Sequence, residues 1–132
     1  MIPFAAEYNL RFIIPNLRDY PGSTPYTQEE LKELSSPDRE QQEKALRARA
    51  SELAVFLRYL IETEDILPIR AGSEANSTTG GISLLSWSAG NCQTIGLLAY
   101  VDQLPGDTRD LLGAYLRSYV LYGKPPFASP SS

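Results

Sequence analysis

Five consecutive residues, Ser86-Trp87-Ser88-Ala89-Gly90, carry the strongest chemical signal in this 132-residue chain. They follow the uncharged apolar run Ile82-Ser83-Leu84-Leu85, which reads as a strand, and precede Asn91 to Gln103, which reads as a helix. A serine on so tight a strand-to-helix corner needs small residues two places before and two after it, or their side chains collide. Ser86 and Gly90 meet that requirement. The corner would lift the Ser88 hydroxyl above the end of the strand. It would stand at the N-terminus of the next helix, whose dipole favours developing negative charge. The backbone N–H of Ala89 is then half of an oxyanion hole, and Trp87 reads as packing. The chemistry expected of Ser88 is that of a nucleophile.

Such a nucleophile needs a base, and the chain has no histidine. Its absence removes the usual proton acceptor of serine hydrolases together with the commonest metal ligand. The single cysteine, Cys92, excludes an internal disulfide and a cysteine-built zinc site. It reads as a small core residue on the helix after Ser88. No cofactor and no metal are expected.

Composition places the chain among ordinary folded proteins, with 42% hydrophobic and 21% charged residues. The length fits one domain with a real core. A formal charge of −4 gives nothing to attract nucleic acid or anionic lipid. No apolar run approaches a membrane span, and neither a secretory leader nor a peroxisomal tail is read, so the expected location is cytoplasmic.

The elements that would position the corner run as follows. Leu10-Arg11-Phe12-Ile13-Ile14 reads as a short strand ended by Pro15, and a turn-rich stretch continues to Ser23. Thr27-Gln28-Glu29-Glu30 is a capping box, predicting a short helix from about Gln28 to Leu34. Ser36-Pro37 then opens a longer helix, with Ser36 as its N-cap. Its apolar stripe is Leu46, Ala50, Leu53, Leu57 and Leu60-Ile61, while Arg39, Glu43, Arg47 and Glu62 lie elsewhere on the surface. Residues 28–65 hold 10 of the acids and 6 of the bases, so the solvated charge sits on these helices. The polar segment from Ala71 to Gly81 reads as a mobile surface loop.

Ile82 to Leu85 is expected to be a parallel strand covered on both faces. In the helix after it, Ile95, Leu98, Ala99 and Asp102 share one face. Pro105-Gly106 stops that helix, Asp107 to about Ala114 starts another, and Leu116 to Tyr122 is a strand. Asp102, Asp107 and Asp110 read as caps or solvated acids. Tyr115, Tyr119 and Tyr122 read as sheet and core packing, and Arg18 as an ion pair or a positioning group. The tail, residues 124–132, reads as loose. The layout is α/β, with a short parallel sheet of about three strands flanked by helices.

Over nearly its full length the chain resembles the α/β-hydrolase superfamily, closest to its fungal-type members, some of which serve secondary metabolism. Phe12-Ile13-Ile14-Pro15-Asn16-Leu17-Arg18-Asp19-Tyr20-Pro21-Gly22-Ser23 is similar to the strand and loop which that family writes Asp-x-Arg-Gly-x-Gly-x-Ser. Asn16 stands where Asp is usual, and Asp19 where Gly is. Ser86-Trp87-Ser88-Ala89-Gly90 resembles its nucleophile elbow, with Ser86 in place of the usual Gly, and Tyr122-Gly123-Lys124-Pro125-Pro126 its closing segment.

The resemblance implies that these segments are the fourth, fifth and sixth strands. The first three strands and the second oxyanion donor would precede Met1, and the acid and histidine of the triad would follow Ser132. Residues 1–123 then correspond to an incomplete hydrolase domain, the central portion of the fold. The resemblance further implies that Ser88 is the nucleophile acting on a small ester-like substrate.

Two readings of function follow. One is a serine esterase or lipase-like hydrolase, incomplete in this chain, that needs a complementing chain or an oligomer. The other is a catalytically inactive truncated remnant acting, if at all, through protein contacts. A small-ligand module using the space over Ser88 has less support.

Overall fold

The structure, a computed structural model, describes residues 2–72 and 78–123. The expected capping box is formed: the Thr27 hydroxyl accepts from the Glu30 amide, while the Glu30 carboxylate accepts from the Thr27 amide. After α1 (Ile2–Glu7), it starts α2 (Gln28–Ser35). The following helix α3 (Arg39–Thr63) is capped by Asp38 rather than Ser36, its carboxylate accepting from the Glu40 amide. Ser36 instead ends α2, and its hydroxyl accepts from the Asp38 amide. Two cap-forming residues compete over three positions, and the one nearer the first free amides of α3 wins.

Helix α3 buries Ala45, Arg49, Ala50, Ala54, Leu57, Leu60 and Ile61. The stripe is therefore shifted from the expected one at its start, where Leu46 is exposed and Ala45 buried. Small residues line that side because α4 (Asn91–Tyr100) crosses close by. A Cβ on Gly96 would stand 3.4 Å from the Leu46 carbonyl oxygen and 3.6 Å from the Ala50 Cβ.

This contact also turns α4 round. Thr94, Gly96 and Leu97 are buried, whereas Ile95 and Leu98 of the expected apolar face are exposed. Cys92 is exposed too, not a core residue. A helix with no charged residue gives periodicity little to choose by, and the tight crossing at Gly96 decides the facing.

Helix α5 (Gly106–Tyr115) runs directly into β4 (Leu116–Tyr122), which pairs in parallel with β3 (Ile82–Trp87). The core is Ala54, Leu57, Ile61, Leu97 and Leu112, with Ile82, Leu84, Leu111, Tyr115 and Leu116 packed against it. Two residues each in β1 (Arg70–Ala71) and β2 (Thr78–Thr79) pair antiparallel at the base of the polar segment. Residues 73–77 of that expected loop, and the expected loose tail at 124–132, lie outside the described residues.

The fold is thus mixed α/β, and its parallel sheet has two strands. The expected strand Leu10–Ile14 is extended but pairs with nothing among the described residues, and Leu10, Phe12, Ile13 and Ile14 are all exposed. Strand propensity describes how a side chain fits a pleated surface, and here no sheet edge lies beside the segment. It is held instead by Arg11, whose guanidinium donates to the carbonyl and the carboxylate of Glu64.

Nor is the parallel sheet covered on both faces. Leu84 faces the core, but Leu85, Trp87, Val120 and Tyr122 face outward and are exposed. Tyr115 packs as expected, while Tyr122 does not. Among the described residues no helix is long and apolar enough to cross a membrane.

Candidate functional site

Strand β3 runs on through Ser86 and Trp87, and the chain then turns through one 3-10 turn, Ser88–Gly90, into α4. Ser88 is the corner residue. Its φ is +54°, against −130° at Trp87 before it and −63° at Gly90 after it. The left-handed region costs an ordinary residue roughly 1–2 kcal/mol and is occupied only where the surroundings force it. The reversal of φ swings the backbone from strand to helix in one step and leaves Ser88 exposed.

The residues expected to flank the corner do approach each other. A Cβ on Gly90 would stand 3.9 Å from the Ser86 Cβ, an ordinary contact rather than a clash. The corner therefore has room for one methyl group at position 90, and the collision expected of larger residues begins beyond Cβ. Ala89 occupies the first turn, where amides have no acceptor within the helix and are free to face an anion. Trp87 is 72% exposed, so it does not serve as core packing.

Two clamps that residue spacing did not single out hold the corner against β4. The Asn91 side-chain amide donates to the Tyr122 carbonyl at 3.2 Å. Gly123, at φ +128°, passes so close that a Cβ there would lie 3.3 Å from the Ser88 amide nitrogen. The sequence signal for the second was Gly123 at the end of a β-forming run, legible as a turn but not as a neighbour of Ser88. Under the corner, the Ser86 hydroxyl and the Asn91 side-chain oxygen are buried without hydrogen-bond partners.

No family model, curated protein or solved structure matches this chain. No hydrogen bond or ion pair among the described residues brings a carboxylate, or any other proton acceptor on a side chain, to Ser88. Among those residues no group of His, Cys, Asp and Glu is arranged to hold a metal ion.

The loop from Asn16 to Ser23 is built separately from the corner. Asp19, standing where the resemblance places glycine, takes φ +66°, and its carboxylate accepts from the Tyr26 amide at 2.8 Å. Asp is one of the few residues that tolerate that region. Arg18 grips Glu30 with both guanidinium nitrogens, at 2.6 and 2.8 Å, and reaches Glu52 at 2.7 Å and the Pro25 carbonyl at 2.7 Å.

Arg49, 7% exposed, joins the same carboxylates and, like Arg18, lies over the Tyr26 ring. The Arg18 guanidinium, helped by the Thr27 and Arg49 donors, holds the Glu30 carboxyl far below the usual carboxylate range. Arg18 is thus an ion-pair anchor pinning the loop to α2 and α3. Asp107 is likewise occupied, by Arg58 at 2.6 Å.

Proposed function

We propose that this chain carries the nucleophile-bearing part of a serine esterase of the α/β-hydrolase type. In it, Ser88 forms the acyl-enzyme, and the general base comes from outside these 132 residues. The observation that carries this reading is the left-handed φ of Ser88 at the junction of β3 and α4. The other non-glycine residues at positive φ, Asn9, Asp19 and Asp65, are of the types that tolerate that region, whereas a serine strained at a strand-to-helix corner is expected where it is held ready for reaction. The parallel pairing of β3 with β4 and the small residues at 86 and 90 agree with it.

In the reaction the Ser88 oxygen attacks the ester carbonyl while its proton passes to the external base. The carbonyl oxygen becomes an oxyanion facing the Ala89 N–H, and the alcohol leaves with the proton returned by the base. Water, activated by the same base, then releases the acid and restores Ser88. Without that base the hydroxyl is barely ionised near neutral pH, so the chain alone turns nothing over.

The test separates a prepared serine from an ordinary one. The chain is incubated with p-nitrophenyl acetate, with and without imidazole as a surrogate base, and acetylation is mapped by peptide mass spectrometry. Ser88 should be acetylated faster than the exposed Ser35 and Ser51, and imidazole should widen the difference. Equal labelling of all three would overturn the reading. The alternative, a catalytically inactive remnant working through protein contacts, is favoured by a different observation, the uncovered face of the parallel sheet.

A further inference from the structure

The register of the parallel pair puts Ser83 beside Ser118, Leu85 beside Val120 and Trp87 beside Tyr122, all on the face turned away from the core. Leu85 is 45% exposed, Val120 48%, Trp87 72% and Tyr122 68%. No charged residue belongs to these three pairs. The polar end of the face is satisfied within itself, because the Ser118 hydroxyl donates to the Ser83 hydroxyl at 2.7 Å. Parallel sheets are almost always covered on both faces, and β3 carries neither a charge nor a proline to discourage association.

We infer that this face binds a second copy of the chain, sheet against sheet, in a two-fold dimer. A two-fold contact sets the same patch on itself, and in this uncharged patch the serine hydroxyls are already paired, so that only the Tyr122 hydroxyl and the Trp87 indole N–H have to meet water at the rim or a partner across the contact. The four apolar side chains offer about 500 Å² per copy, so a pair buries about 1,000 Å², the size at which specific association begins. That area suits a dimer in equilibrium with monomer. Trp87 lies inside the contact and is the only tryptophan, so its fluorescence reports on the contact directly. Nothing in this inference depends on Ser88 being a nucleophile.

Sedimentation equilibrium and Trp87 emission are measured on the whole chain from about 1 to about 200 µM, the range in which an interface of this size dissociates. The expected result is a monomer–dimer equilibrium, with emission moving to the red on dilution. Val120→Glu should raise the dissociation constant at least tenfold and fix the red emission, with the helical circular dichroism unchanged. Ile95→Glu, on the exposed side of α4, should leave both as in the parent chain. If Val120→Glu fails to fold, Tyr122→Ser and the dilution series of the parent chain decide. A monomer at every concentration, a dimer indifferent to residues 120 and 122, or open-ended assembly would overturn the inference.

Discussion

Gly123 lies against the backbone of Ser88, close enough that a Cβ would stand 3.3 Å from the Ser88 nitrogen and 3.4 Å from Cδ1 of Trp87. At φ +128° the position also excludes an ordinary side chain on conformational grounds. Gly123→Ala is therefore expected to destabilise the fold by about 1–3 kcal/mol. Urea unfolding measures it, and an unchanged midpoint would mean that β4 does not press on the corner.

The strain at Ser88 itself gives the opposite sign. Glycine enters the left-handed region freely, so Ser88→Gly should stabilise the chain by up to about 1 kcal/mol while removing the hydroxyl. A rise in melting temperature is the expected outcome. A fall would show that glycine's backbone entropy outweighs the relief, and that the corner is not strained.

Gly90 has a helical φ of −63° and ordinary space toward Ser86. Gly90→Ala should be neutral or slightly stabilising, whereas Gly90→Val drives branched methyls toward the Ser86 side chain and should cost about 1–3 kcal/mol. Thermal melts of the two variants check the contrast. Equal melting temperatures would mean that the corner imposes no size limit there.

Much of this was readable from residues alone, and the failures have a common cause. The capping box at Thr27 and the turn at Ser88 are local, set by neighbours within a few positions, and the strand-forming run Leu116–Tyr122 also finds a partner in β3. Leu10–Ile14 failed as a strand because pairing is not local, and Ile95 and Leu98 failed as core because the crossing at Gly96 chose the other face of α4. Arg49 was hidden for the same reason. An arginine in a charged helix looks solvated until Tyr26, Glu30 and Glu52 converge on it from elsewhere in the chain.

That convergence sets how the fold responds to acid. Glu30 accepts from Arg18, from the Thr27 amide and from Arg49, and its carboxyl is held well below its ordinary value of 4.5. Because the folded form ionises more readily than the unfolded one, the contribution is fully present above about pH 5 and is lost as the pH falls below the ordinary value. Urea midpoints should thus be flat from pH 7 to about 5 and drop steadily below it. Glu30→Gln should lower the midpoint at pH 7 and flatten the acid limb, since the amide still receives one donor but no longer titrates. An acid limb identical to that of the parent chain would move the effect to other carboxylates, such as Asp107 beside Arg58.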